Sequence, residues 1–312
     1  MKNTVSYIND AIKKDAKEFV LRCDAAYHNK LDGLARTIKN NKAIKIIMIA
    51  GPSGSGKTTT SHLFCDALKK QGILAQIISL DNFYLNREQL PLNEEGIPDV
   101  ETVYSLDLPL IDACLSRLIS EGRCEVPIFD FNTASRAKDV LDIELGDNGL
   151  LIVEGLHALN PLLYGKLPQE AIFKLYISVA SSVYTNDGRE LLSGEQMRFC
   201  RRMTRDSIYR NSTPSNTIKM WRDVVEGEKR WIAPFKDKAD AQIDTFHAYE
   251  NCLFSRRSSR MLRDLSKGLY DSVYADRIAD ALEQFCELDI DIVPQDSLLR
   301  EFIEGGKYED VT

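Results

Sequence analysis

The densest chemistry in this 312-residue chain lies at Gly51-Pro-Ser-Gly-Ser-Gly56-Lys57-Thr58. Its spacing fits the phosphate-binding pattern GxxxxGK[ST] without a mismatch. Glycines let the backbone curl until successive N–H groups face one anion. A helix starting there adds its positive end. Gly51, Ser53, Gly54, Ser55 and Gly56 therefore form a candidate cradle that continues into Thr59. Lys57 is placed to reach the β- and γ-phosphates, and the Thr58 hydroxyl to ligate Mg²⁺. A Gly/Ser-rich turn that merely joins a strand to a helix is the plainer reading. The β-branched run before the loop and the amphipathic segment after it favour the cradle. The cofactors expected are ATP, or another nucleoside triphosphate, and Mg²⁺.

Other residue types fit around such a loop. Asp81, in Ser79-Leu-Asp-Asn-Phe-Tyr84, follows an apolar run and is expected at the ligand edge of a parallel sheet. A carboxylate there can accept a proton from an attacking hydroxyl and lie near the metal; an Asp-Asn turn is the bland alternative. Glu154 ends Leu150-Leu-Ile-Val153, a position suited to Mg²⁺ or its water shell rather than to a merely solvated strand end. The stretch Arg198, Arg201, Arg202, Arg205, Arg210 is unusually basic for an acidic protein. Arg198, Arg202 and Arg205 recur on one helical face, where guanidiniums suit phosphate oxygens in a closing lid. A solvated charged face, with Asp206 pairing Arg202 or Arg210, is the alternative. Tyr84, Phe129 and Phe131 are candidate walls of an acceptor pocket, or simply core.

The loop specifies a nucleotide without specifying its use. A GTPase needs DxxG after the loop, and no Asp here has Gly three positions on. Asn29-Lys30-Leu31-Asp32 spells NKxD but precedes the loop. A motor ATPase would be expected to carry longer relay elements. A small-molecule kinase needs a base, a second metal carboxylate, mobile cations and an acceptor pocket, and each has a candidate above.

These residues need a scaffold. Lys45–Ala50, Ile73–Leu80, Leu150–Val153, Ile172–Val179 and Ala239–Asp244 read as strands. Helices are expected over 5–40 (one or two), Thr58–Lys70, Ser105–Ser120, about 195–210 and beyond, 258–268 and 272–287. Residues 82–104 read as a long loop, and Pro127–Phe131 and Val140–Leu145 as short extended pieces. Alternation of strands and helices predicts an α/β chain with a parallel sheet covered by helices on both faces. The GxxxxGK[ST] loop makes this the P-loop NTPase fold, and the arginine stretch is expected to form an Arg-bearing lid. The expected organisation is an N-terminal helical extension, 1–42, and a kinase domain, 43–312. Within the latter the lid lies at about 181–235 and the C-terminal helices and tail at about 258–312.

Forty basic and forty-seven acidic residues leave a net charge of −7, which argues against a dedicated nucleic-acid binder. Apolar residues, at 44%, suffice for a sizeable core and exclude wholesale disorder. No apolar run approaches the roughly 20 residues of a membrane helix. The charged N-terminus is no secretory signal. Seven scattered cysteines without a CxxC pair fit neither zinc nor a disulfide framework, so a cytoplasmic protein is expected.

Taken in order, GPSGSGKTT, SLDNFY, Pro127–Arg136 (PxFDFxxxxR), LIVEGLHALN and RRMTRDSIYR resemble the uridine kinase/phosphoribulokinase family of P-loop kinases, most closely its longer bacterial branch. The likeness extends over roughly 43–306, through Thr217–Phe235 and Pro294–Gly306. The resemblance implies that Asp81 is catalytic and Glu154 metal-associated. It further implies that Tyr84 and Phe131 line the nucleoside pocket and that Arg136, in the same motif, is substrate-binding. Glu101 would hold ribose hydroxyls, Arg202 would contact substrate, and Arg205 and Arg210 would approach phosphates. Where the family reads YDFxxHxR, this chain has Phe129 and Ala134, and a downstream lid arginine aligns with Ser212. Ala134 cannot hydrogen-bond a base, so the selectivity such readout provides is not expected. The expectation is an ATP- and Mg²⁺-dependent kinase for a hydroxyl of a nucleoside or similar small molecule. The alternatives are a kinase of a sugar, sugar phosphate or polyol, and a nucleotide-sensing or assembly protein without a small acceptor. Partners would be the small acceptor and a possible second copy of the chain, with no nucleic acid and no membrane.

Overall fold

Ile46–Ala50 is buried at every position, as a run of β-branched and apolar residues must be when both faces of its strand are covered. In chain order the elements are α1 (Val5–Asn40), β1 (Ile46–Ala50), α2 (Lys57–Lys70), β2 (Ala75–Ser79), α3 (Leu108–Glu121), β3 (Arg123–Asp130), β4 (Ser135–Glu144) and β5 (Leu150–Glu154). They continue with β6 (Ile172–Ser178), β7 (Val183–Tyr184), β8 (Glu190–Leu192), α4 (Gly194–Tyr209), α5 (Pro214–Trp231), β9 (Ala241–Asp244), α6 (Glu250–Ser266) and α7 (Ser272–Leu282). The computed structural model describes residues 3–131, 133–146, 149–266 and 272–308.

The main sheet runs β2-β5-β1-β6-β9 and all its pairs are parallel. The chain leaves β1 towards β2 on one side and later fills β6 and β9 on the other. Such a reversal opens a crevice beyond the carboxyl end of the central strand. Alternate side chains enter two cores. Ile47 and Ile49 pack with α1, α2, α4, α5, α6 and α7. Ile46, Met48 and Ala50 pack with α3 and the β3–β4 hairpin. The expected parallel sheet with both faces covered is thus present.

Helix α1 belongs to the first core through Ile8, Phe19, Val20, Leu31 and Ile38, although composition alone sets residues 1–42 apart. It consists of two helical segments meeting at Asp15, whose backbone is non-helical and whose carboxylate caps the Glu18 amide at 2.9 Å.

Boundaries differ from expectation where local hydrogen bonds intervene. Strand β2 begins at Ala75 rather than Ile73, because Gly72 is left-handed and the Ile73 amide returns to the Leu68 carbonyl (3.1 Å) in a helix-closing turn. Helix α3 begins at Leu108 because Asp107 caps the Leu110 amide. The pieces expected at 127–131 and 140–145 are parts of one longer antiparallel hairpin, β3–β4. The β7–β8 hairpin has strands too short to show a period in sequence. Helix α6 starts eight residues earlier than expected, and the end of the helix predicted for 258–268 lies outside the described residues. Among the described residues no helix is long and apolar enough to cross a membrane, and all seven cysteines are free thiols.

Candidate functional site

Strand β1 delivers the chain to Gly51, and α2 starts at Lys57 with Gly56 as its cap. Gly56 has no side chain to satisfy the first-turn amides, so they are available to an anion. Gly54 and Gly56 take positive φ (74° and 89°). A Cβ on Gly54 would lie 2.6 Å from the Arg198 carbonyl oxygen, and one on Gly56 2.9 Å from Leu298. Lys57 folds back over the loop, its ammonium 3.4 Å from the Pro52 carbonyl. The Ser55 hydroxyl is buried without a partner, an orphaned donor such as a phosphate oxygen would satisfy.

Helix α4 divides its arginines between two tasks. Arg198 donates to the Ser53 carbonyl (3.0 Å) and pairs with Glu228, while fully buried Arg201 donates to the Gly54 carbonyl (3.3 Å). These two hold the loop from behind. Arg202, Arg205 and Arg210 line the cavity in front of it. Arg202 also donates to the Ser53 hydroxyl (3.0 Å). Asp206, itself buried, accepts from Arg202 and Arg205 and lies 3.7 Å from Arg210, so one carboxylate orients three guanidiniums. Neighbouring Arg205 foremost, and then burial, lower the Arg210 pKa. Met197, Phe199, Cys200 and Met203 anchor α4 in the core, so the cations are presented from a packed wall.

The cavity, about 180 Å³, joins this cradle to the carboxylates. Asp81 enters from a turn just past β2, where its amide donates to the Ser79 hydroxyl (3.3 Å). Glu154 enters from the end of β5. Burial, and then the proximity of Asp81, push the Glu154 carboxyl up to about 7, with Lys57 and the Ser79 hydroxyl opposing. Burial lowers the Lys57 pKa against the pull of Glu154, Asp81 and Glu301. Glu101 faces the same space beneath Gly227 of α5, where a Cβ would lie 2.7 Å from the Glu101 side chain. Burial raises Glu101 to about 7, against the pull of Arg202.

Among the described residues no three His, Cys, Asp or Glu side chains are grouped to hold a metal alone. Thr58, Asp81 and Glu154 instead offer a hydroxyl and two carboxylates beside a phosphate cradle. That hard, incomplete oxygen set suits Mg²⁺, which shares its coordination with water and phosphate.

Tyr84 and Phe131 line the outer end of the cavity and form an aromatic trio with Phe129, with ring centroids 5.0–6.1 Å apart. The Tyr84 hydroxyl is spent on the Val100 carbonyl (3.3 Å). Behind the trio lies an apolar chamber of about 430 Å³, walled by Leu90, Ile97, Val100, Phe129 and Ala134, with Arg87 on its lining.

Most of the residues singled out in sequence converge here: Ser53, Gly54, Gly56, Lys57, Thr58, Asp81, Tyr84, Glu101, Phe131, Glu154, Arg202, Arg205 and Arg210 line one cavity. Gly51, Ser55 and Thr59 are not among the residues that line it. Arg136 does not reach it. Sitting opposite Phe129 in the hairpin, it pairs instead with Asp107 at the cap of α3 (2.9 Å). Two residues escaped the sequence reading: Leu156, beside Glu154, and Glu301, whose carboxylate reaches the cradle from the C-terminal tail. Only the motif likeness of Pro294–Gly306 hinted at the latter.

Residues 46–186 match the sequence model of the Phosphoribulokinase / Uridine kinase family, a narrower span than the motifs suggested. The uridine kinase of Lactobacillus johnsonii is 28% identical over 210 residues, covering 64% of this chain and 90% of the relative. The uridine kinase of Ureaplasma urealyticum is 27% identical over 205 residues, covering 65% and 89%. The solved structure of a candidate fructose transport system kinase from Silicibacter sp. TM1040 superposes with a TM-score of 0.52 at 17% identity, covering 68% of this chain and 98% of that one. That likeness speaks for the fold alone.

Proposed function

We propose that this chain, whose residues 46–186 match the phosphoribulokinase/uridine kinase family, is an ATP-dependent small-molecule kinase that moves the γ-phosphoryl of ATP to a hydroxyl of a small acceptor. The observation that carries this is the single cavity joining phosphate loop, Asp81 and arginine trio.

In this reading the loop amides and Lys57 hold the phosphates. The acceptor enters past Tyr84 and Phe131, and Asp81 takes or orients its proton as the oxygen attacks phosphorus in line. The new O–P bond forms as the bond to the ADP oxygen breaks. Arg202 and Arg205, oriented by Asp206, and Arg210 offset the charge on the transferring group. Thr58 and Glu154, with Asp81, are the residues to hold Mg²⁺. When bound, the ion would supply neutralisation of phosphate charge. Glu101 is the acceptor-side carboxylate for a neighbouring hydroxyl.

The acceptor is a nucleoside-like compound or another small alcohol. The apolar chamber favours the second. It meets whatever lies beyond the reacting hydroxyl with Leu90, Ile97, Phe129 and Ala134 rather than with base-reading polar groups. The deciding experiment is acceptor-dependent ADP release across nucleosides, pentoses, polyols and hydroxy acids with apolar bodies, with product masses measured. ADP release that needs no acceptor, or tight ATP binding without turnover, would overturn the reading in favour of a nucleotide sensor.

A further inference from the structure

Glu301 lies outside the family-matched residues, yet its carboxylate ends in the phosphate cradle. One oxygen accepts the Thr59 amide at 3.1 Å, and the other lies 3.7 Å from the Arg205 guanidinium. Thr59 is the third residue of α2, so its amide is one of the first-turn donors that the helix itself cannot satisfy. Such amides and a cavity-lining arginine are the groups a nucleotide's phosphates require.

We propose that Glu301 is a resident counter-anion of the donor site, which occupies the Thr59 amide and Arg205 until the phosphates of the nucleotide displace it, and so sets nucleotide affinity. The inference rests on the kinase reading of the loop.

Charge balance supports it. The cavity is lined by four cations, Lys57, Arg202, Arg205 and Arg210, and four carboxylates, Asp81, Glu101, Glu154 and Glu301. The first three carboxylates sit where acceptor and metal are handled. Glu301 alone of the four is bonded to the phosphate-binding helix. Glu301 is buried and held by one amide and one loose ion pair, and a phosphate brings more oxygens to the same donors.

The tail need not peel away for the exchange. Leu298, Leu299 and Phe302 are fully buried. Phe302 lies under Arg201, at 5.2 Å from guanidinium to ring centroid, and Tyr209 donates to the Ile303 carbonyl at 2.9 Å. Lys307 and Tyr308 both hold Asp66 of α2, at 2.6 and 2.7 Å. Rotation of one side chain on an anchored turn is enough.

The test is calorimetric titration of the full-length chain with ADP, comparing wild type, Glu301→Gln and Glu301→Asp. Glutamine keeps an oxygen for the Thr59 amide but carries no charge, and aspartate keeps the charge. Glu301→Gln is expected to bind ADP roughly tenfold more tightly, the effect of removing one charged competitor for a charge-assisted contact. ADP should become a stronger product inhibitor by a similar factor, and Glu301→Asp should stay near wild type. Where Glu301→Gln does not fold, as judged by its melting transition, Glu301→Ala decides in the same direction. Unchanged or weaker ADP binding in the uncharged variants means that Glu301 only props the tail, and the proposal falls. A wild-type chain that binds no ADP overturns the donor-site reading together with it.

Discussion

Arg201 and Glu250 form a fork-to-fork ion pair, 2.6 and 3.0 Å, with both side chains wholly buried. The guanidinium also reaches the Thr245 carbonyl at 2.9 Å and the Gly54 carbonyl at 3.3 Å. One buried cation thus ties α6 and the end of β9 to the phosphate loop. Removing only Arg201 leaves a stranded carboxylate, so Arg201→Met should cost about 3–5 kcal/mol. The double variant Arg201→Met/Glu250→Leu should cost clearly less than the sum of the two singles. Denaturant unfolding of all four proteins checks this, and additive losses would show that the pair is not coupled.

Asp81 is the residue assigned to the acceptor's proton. Asp81→Asn preserves shape and removes the base, so kcat should drop about 10²–10⁴-fold, while ATP binding by titration changes little. Undiminished turnover would remove Asp81 from the mechanism.

Glu101 gives a signed pH dependence. Its folded-state pKa, raised to about 7 by burial, exceeds the ordinary 4.5. The fold therefore favours the protonated form, and stability falls as pH rises from about 4.5 through about 7. Glu101→Gln should remove that slope and stabilise the protein at pH 8 by on the order of 2 kcal/mol. The acceptor's KM should fall as Glu101 ionises through pH 7, and the variant should lose this trend. Parallel melting curves and pH profiles separate the two effects.

Gly54 combines positive φ with the closeness of the Arg198 carbonyl, 2.6 Å from where a Cβ would lie. Gly54→Ala adds αL strain of about 1–2 kcal/mol and pushes the loop off α4. Nucleotide affinity should suffer more than global stability. A melting temperature lowered without any loss of ADP binding would contradict this account of the loop.

The loop, the positions of Asp81 and Glu154, and the parallel α/β architecture were legible in the chain because each depends on short-range patterns. Glycine spacing dictates where a backbone can curl, and β-branched runs mark buried strands. A carboxylate right after such a run falls on the crevice edge. Arginine spacing on one helical face was equally visible, but not which arginines would touch ligand. Arg198 and Arg201 turned to the loop's back, Arg202 and Arg205 to its front, and this depends on what packs against α4. Arg136 went to Asp107 because of hairpin register. Glu301 meets Thr59 across 242 residues, a contact that exists only because the buried turn Leu298–Phe302 is anchored against Gly56 and α2. Local periodicity carries no information about pairings that distant. Loop closure and core packing set them, and these exist only once the whole chain has folded.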